Sequence, residues 1–160
     1  MCVDGKAEGH LTMCEGIVVG TDGSERSLDA VRDAGRLAAL CGLSEVHVVT
    51  ASQVYALHEM ERIRADLPAE YWDVLSSHLD GQDSLNAAAV QLGIGVSMVP
   101  HNRSGDPADA ILSVAESEGA DLVVVGARGL GAMGRCLRGS VSTKVAHHSP
   151  CDVLVVEHDS

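Results

Sequence analysis

The sequence predicts an α/β fold, with a mainly parallel sheet of five strands and helices on both of its faces. Three observations lead to this prediction. Short runs of β-branched residues alternate with longer stretches whose apolar residues recur at helical spacing. Glycine and capping residues separate the two kinds of segment. Residues 121–126 form an almost wholly apolar run, which is typical of a parallel strand that is buried on both faces.

The amino-terminal part of the domain is predicted to contain a strand, a helix and a second strand. Residues 17–21 are rich in valine and isoleucine and form the first strand. Residues 22–24 make a turn that supplies capping side chains to the following helix, and Gly42 ends this helix. Residues 46–51 form the second strand.

The middle of the chain, residues 52–93, is predicted to be mostly helical, with one break at Pro68 and a second near Gly81. Gly93 closes this stretch. Apolar residues then alternate with small or polar ones over residues 94–99, and this alternation predicts the third strand.

The carboxy-terminal part carries the clearest helix boundaries. Asp106 and Pro107 predict an N-cap followed by proline at the first helical position, and Gly119 ends that helix. The fourth strand leads into a glycine-rich segment. Residues 140–148 then form a short helix, and residues 152–156 form the fifth strand.

The composition excludes several classes of function. The chain of 160 residues has a formal net charge of −12, which repels nucleic acid. One tryptophan, two tyrosines and no phenylalanine leave no stacking platform for single-stranded nucleic acid. No apolar run approaches the roughly 18 residues of a membrane span. We expect a cytoplasmic protein without a signal peptide, with a weakly ordered leader at residues 1–15 and a single domain at residues 16–160.

One segment stands out against the acidic composition. From Ala127 to Cys151 there is no acidic residue, although the chain holds 23 of them. The segment carries four basic residues, and this imbalance predicts a binding site for an anion. The basic residues are Arg128, Arg135, Arg138 and Lys144.

The position of this segment favours phosphate as the anion. Gly139 and Ser140 open the short helix, and the free N–H groups and positive dipole of a helix N-terminus bind phosphate. In parallel sheets, ligands bind beyond the carboxyl ends of the strands, where the winding direction reverses. The polar turn at residues 21–24 and the glycine-rich segment are predicted to form the two sides of that site.

The sequence resembles the universal stress proteins, specifically their nucleotide-binding branch. The matching motif is Gly-x2-Gly-x9-Gly-Ser, present as Gly126, Gly129, Gly139 and Ser140. The runs at 17–24, 105–108 and 121–126 also match. The resemblance covers residues 16–157, with a poor match in the stretch from 52 to 93.

This resemblance implies a Rossmann-like strand order of 3-2-1-4-5 and an adenine nucleotide, ATP or else AMP or ADP, at the switch point. Main-chain groups and hydroxyls of the motif would hold the phosphates and ribose. Asp22 would meet the adenosine part or a metal-linked water. As the only carboxylate in the two predicted turns, it is the one candidate for a magnesium contact, and the backbone near Ala51 would read the adenine edge. The implied nucleotide-binding residues are Thr21, Asp22, Ala51, Gly126, Ala127, Arg128, Gly129, Gly139, Ser140, Val141 and Ser142.

The resemblance also implies a homodimer in which the last strand pairs across a two-fold axis. An apolar strand at a sheet edge favours association on physical grounds as well. The strand residues concerned are Val153, Leu154, Val155 and Val156.

Two functions remain open at this point. The first is an ATP-binding protein that acts as a nucleotide-dependent sensor or adaptor toward a protein partner in the stress response, with ATP hydrolysis slow or absent. The second is a dimeric interaction module of the same fold that binds no nucleotide. The sequence lacks a Walker motif, and the turn after its first strand fits neither a dinucleotide-binding nor an adenylating enzyme.

Overall fold

The computed structural model describes residues 14–52, 61–62, 65–66, 68–72, 81–127 and 139–157. The described strands form one parallel sheet in the order β3-β2-β1-β4-β5. The predicted fold class and strand order are therefore confirmed. The strands are β1 (Ile17–Gly20), β2 (Glu45–Ser52), β3 (Ser97–Ser104), β4 (Leu122–Gly126) and β5 (Asp152–Val156), and the α-helices are α1 (Glu25–Cys41), α2 (Gln82–Gln91), α3 (Pro107–Ser117) and α4 (Ser140–His148).

The sheet has a hydrophobic core on each face. Alternate residues of a strand point to opposite faces, so consecutive valines of β1 and β4 supply both cores. One core packs α1 and α2 against the sheet, and the other packs α3 and α4. All four residues of β1 are buried, as expected for the central strand of a sheet that is covered on both sides.

The predicted helix boundaries at three positions are confirmed. The side chain of Ser24 accepts a hydrogen bond from the Ser27 amide at the start of α1. Gly42 follows α1 in the left-handed conformation, with φ of 74°. Asp106 caps α3 by accepting a hydrogen bond of 3.0 Å from the Asp109 amide.

The predicted position of the third strand is wrong by several residues. β3 covers Ser97–Ser104 rather than residues 94–99. Gly93 and Gly95 take φ values of 89° and 90°, so the chain is still turning where the alternation pattern suggested a strand. Ile94 is fully exposed between them. β3 is an edge strand of the sheet, and this position tolerates Pro100, which lacks an N–H group.

The stretch from 52 to 93 is described only in part. Pro68 precedes a short 3-10 helix at Ala69–Tyr71, and Gly81, with φ of 68°, precedes α2. Both predicted breaks therefore coincide with the start of a helical element. Of the predicted leader, only Cys14 and Glu15 belong to the described residues, and the Glu15 amide donates to the Asp121 carboxylate. None of the helices within the described ranges is long and apolar enough to span a membrane.

Candidate nucleotide site

A cavity of about 780 Å³ opens at the carboxyl ends of the central strands. It lies where β1 has β2 on one side and β4 on the other, so the order of the strands reverses there. This is the position at which open α/β sheets bind their ligands. The lining residues come from the turn after β1, the start of α1, the ends of β2 and β4, and the starts of α3 and α4.

The turn after β1 is held by a network of short polar side chains. The buried hydroxyls of Thr21 and Ser27 lie 3.0 Å apart, and the Thr21 hydroxyl accepts a hydrogen bond from the Gly23 amide. The Ser27 hydroxyl also accepts from the Asp22 amide at 3.3 Å and donates to the Ser24 carbonyl. These bonds fix the backbone of the turn and thereby place the Asp22 side chain at the mouth of the cavity.

Asp22 carries a negative charge in this position. Partial burial acts to raise the pKa of its carboxyl, but hydrogen bonds from the hydroxyl and amide of Ser24 outweigh burial and hold the pKa below its usual value. Its carboxylate is therefore ionised at neutral pH. An ionised carboxylate accepts hydrogen bonds from ligand hydroxyls and binds hard divalent cations.

The opposite side of the cavity is the N-terminus of α4. Gly139 takes the N-cap position without a side-chain cap, and the first turn of α4 contains no acidic residue. The Ser142 hydroxyl donates to the Gly139 carbonyl at 2.9 Å, which turns this side chain toward its own helix. The amides at the start of α4 and the exposed side chain of Ser140 thus border the cavity. Such an uncapped helix start offers N–H donors and a positive dipole to an anion.

Gly126 has a packing role that its motif position does not reveal. A Cβ atom on this residue would lie 2.7 Å from the carbonyl oxygen of Arg26. The first turn of α1 therefore packs directly onto the end of β4, and only glycine permits this distance. Gly126 lines the cavity and also brings its two central elements together.

The structure brings most of the predicted site residues into one cavity. Arg128 and Gly129 lie outside the described residues, as do Arg135 and Arg138. The roles of the remaining residues in nucleotide binding stay a prediction. The predicted residues that line the cavity are Thr21, Asp22, Ala51, Gly126, Ala127, Gly139, Ser140, Val141 and Ser142.

Lys144, one of the four basic residues of the acid-free segment, does not contribute its charge to the cavity. Its ammonium group lies 2.7 Å from the Asp109 carboxylate and 3.1 Å from that of Asp106. These carboxylates neutralise its charge and raise the pKa of Lys144. Lys144 joins the start of α3 to α4 and is not among the residues that line the cavity.

Two charged residues of the cavity were not predicted from the sequence. Glu25 and Arg26, the first two residues of α1, both line the cavity. Asp22 is the only carboxylate in the two predicted turns, and Glu25, just beyond the first of them, adds a second carboxylate to the cavity. The signal that could have identified them is their position in the first turn of the helix that follows β1, at the point where the strand order reverses.

Comparison with known proteins identifies the family. A model described as the universal stress protein family matches residues 13–157. The chain belongs to the universal stress protein family. A universal stress protein of Methanocaldococcus jannaschii is 34% identical over 146 residues, which cover 88% of this chain and 81% of the relative. The universal stress protein YxiE of Bacillus subtilis is 32% identical over 152 residues, covering 88% and 97% of the two chains.

Solved universal stress proteins share the fold, and some of them hold adenine nucleotides. One in complex with cAMP is 30% identical, with a TM-score of 0.65, and the match covers 92% of this chain and 99% of that one. Another, from Archaeoglobus fulgidus in complex with dAMP, is 23% identical, with a TM-score of 0.62 and coverage of 88% and 95%. The second likeness concerns the fold alone.

Proposed function

We propose that this universal stress protein binds ATP in the cavity between β1 and β4 and acts as a nucleotide-dependent sensor or adaptor. The observation that carries the proposal is the uncapped N-terminus of α4, free of acidic residues in its first turn, at the switch point of the sheet. The relative solved with cAMP supports adenine nucleotide as the ligand class.

The phosphates are placed at the start of α4. The amides of Ser140 and Val141 belong to the first turn, where no intrahelical acceptor is available to them. The Ser140 side chain is exposed and adds a hydroxyl donor. Backbone donors and a helix dipole suit phosphate without any need for Lys144, whose charge is paired with Asp106 and Asp109.

The adenosine part is placed toward β1 and β2. Ala51 and Val49, near the end of β2, line the cavity together with Ile111 of α3. These side chains form an apolar wall that suits a purine ring, and the backbone of β2 offers polar groups to its edge. Asp22, in the turn after β1, is an ionised acceptor for a hydroxyl group of the ribose.

Magnesium belongs to the same proposal. Asp22 and Glu25 put two carboxylates in the same cavity as the proposed phosphate site, and they would repel ATP without a cation between them. Carboxylate oxygens together with substrate phosphates are the usual ligands of Mg²⁺. The ion, when bound, would neutralise this repulsion, and Asp22 is the residue proposed to hold it.

A binding role is preferred to catalysis. Hydrolysis needs a group that orients the attacking water and a cation that stabilises the transition state. Among the described residues that line the cavity, Arg26 supplies a cation, but no histidine is present to orient the water. If the protein binds ATP without hydrolysing it, the fraction of occupied protein follows the ATP concentration, and a partner protein can respond to that fraction. This is the property of a sensor.

The test is a calorimetric titration of the full chain with ATP and Mg²⁺. Gly139→Val places a branched side chain at the start of α4, and the residue's φ of −54° accepts valine without strain. Ala146→Val is the matched control, because Ala146 is exposed on the same helix and lies outside the cavity. We expect binding by the wild type and by Ala146→Val, and none by Gly139→Val. No binding at millimolar ATP by the wild type would instead favour the interaction module that binds no nucleotide.

We also propose that the chain forms a homodimer through β5. β5 is at the edge of the sheet and pairs with β4 on one side. Leu154 is 37% exposed on it, while Val153, Val155 and Val156 are half-buried. An apolar edge strand favours pairing with a second copy, and a charge on that strand opposes it. Sedimentation analysis should show a dimer for the wild type and a monomer for Leu154→Lys; a monomeric wild type would contradict the proposal.

A further inference from the structure

A second polar cluster lies away from the nucleotide cavity. His47 on β2 and His101 on β3 point to the face of the sheet that carries α3, and Glu118 is the C-cap residue of that helix. His47 Nδ1 lies 3.0 Å from His101 Nε2 and 4.0 Å from Glu118 Oε2. One ligand atom from each of the three residues lies within 4.8 Å of the others.

We propose that His47, His101 and Glu118 form a binding site for a divalent transition-metal ion of the zinc class. Two imidazole nitrogens and one carboxylate oxygen are donors that zinc accepts, with a water molecule as the fourth ligand. Donor atoms around a tetrahedral zinc ion lie about 3.4 Å apart, given bonds of roughly 2.1 Å. The two imidazole nitrogens, 3.0 Å apart, are near that separation, and the Glu118 oxygen lies 4.0 Å from His47 Nδ1.

The surroundings of the cluster favour a cation. Glu118 stands at the C-terminus of α3, whose partial negative charge attracts positive ions, and the last turn of α3 contains no basic residue. The His47 side chain is only 14% exposed, so its ring is held by packing, whereas Glu118 at 38% leaves a route for entry of an ion. Arg103 on β3 is the opposing charge; it is exposed, and solvent screens it.

Burial, followed by the proximity of His47, lowers the pKa of the His101 imidazole. A neutral imidazole offers a lone pair to an ion, and a protonated one does not. Without an ion, the same 3.0 Å separation between His47 Nδ1 and His101 Nε2 is a hydrogen bond between the two rings.

The experiment uses the full chain, stripped of metal with a chelator, kept reduced and titrated with Zn²⁺ or Co²⁺. We expect one equivalent to bind, with a cobalt spectrum of nitrogen and oxygen ligation that lacks a thiolate band. His101→Ala and Glu118→Gln should each weaken binding by more than the ~10–100-fold typical of losing an outer-shell partner. His147→Ala, an exposed histidine on α4, should leave binding unchanged.

Three results would overturn the proposal. These are the absence of zinc binding by the wild type, equal affinity in the wild type and His101→Ala, and a thiolate band, which would assign the ion to cysteines. Circular dichroism of the metal-free variants is the check that they are folded. Glu118→Gln provides the second variant, because it keeps the size of the side chain and removes only its charge.

Discussion

Replacement of Gly126 by alanine tests whether this glycine of the motif is needed for packing or only for ligand binding. The added Cβ atom would meet the Arg26 carbonyl oxygen at 2.7 Å and its carbonyl carbon at 3.0 Å. Both are backbone atoms of the first turn of α1, so they cannot rotate away as a side chain would. Relief requires α1 to move away from the end of β4, and both elements line the cavity.

The expected cost follows from two opposing effects. Overpacking a tight contact costs about 1–3 kcal/mol, while exchange of glycine for alanine restricts the unfolded chain and returns about 0.4–1 kcal/mol. The free energy of unfolding should therefore fall by about 1–2 kcal/mol. For a domain of this size, such a loss lowers the melting temperature by roughly 2–8 °C.

The assay is urea unfolding followed by circular dichroism, without nucleotide and at one protein concentration. Gly16→Ala is the matched control, because a Cβ there would have Ala120 Cα as its nearest neighbour at an ordinary 3.4 Å. We expect the control to be unchanged or stabilised by up to about 1 kcal/mol. If Gly126→Ala is as stable as the wild type yet loses ATP, the glycine serves the ligand alone and the packing argument is refuted.

Three further predictions concern stability and the site. Gly35→Ala should lower the melting temperature, because its Cβ would collide with the Leu92 carbonyl and this outweighs the gain of about 1 kcal/mol in helix propensity; an unchanged melting temperature would contradict this. Asp22→Asn should weaken calorimetric binding of ATP with Mg²⁺ at least about tenfold, the minimum for loss of a charged partner, and abolish the enhancement by Mg²⁺; a retained enhancement would exclude Asp22 as the magnesium contact. The hydrogen bond from the Asp109 amide, followed by that from Lys144, lowers the pKa of Asp106. The charged form of Asp106 therefore stabilises the fold at pH values above the usual carboxyl range. This stabilisation disappears as the pH falls through the lowered pKa. Asp106→Asn should accordingly be less stable than the wild type at neutral pH in urea unfolding, with the difference shrinking in acid, and a difference independent of pH would refute the assignment.

Local patterns were sufficient for most of the fold. The apolar run of β4 and the capping pair Asp106 and Pro107 each encode their structure within a few residues. β3 was misplaced because Ile94, Val96 and Met98 alternate with period two even though the first of them lies in a turn. The alternation shows which residues are apolar, but it does not show where the strand begins. The positive φ of Gly93 and Gly95 decides that.

The location of the site could be predicted from the ends of the strands. Asp22 and Ser140 follow or precede recognisable elements, and a parallel sheet brings those positions to one edge. The contact of Gly126 with Arg26 and the cluster around His47 could not be predicted, because they depend on packing between distant segments. His47 and His101 are 54 residues apart in the sequence, and only the pairing of β2 with β3 brings them together.

The most direct test of the central claim is an amide-resolved NMR titration of the full chain with ATP and Mg²⁺. We expect the amides of Ser140, Val141, Asp22 and Ala51 to shift together and saturate, because all four residues line the proposed nucleotide cavity. Shifts confined to other surfaces, or no shifts at millimolar ATP, would contradict nucleotide binding in this cavity.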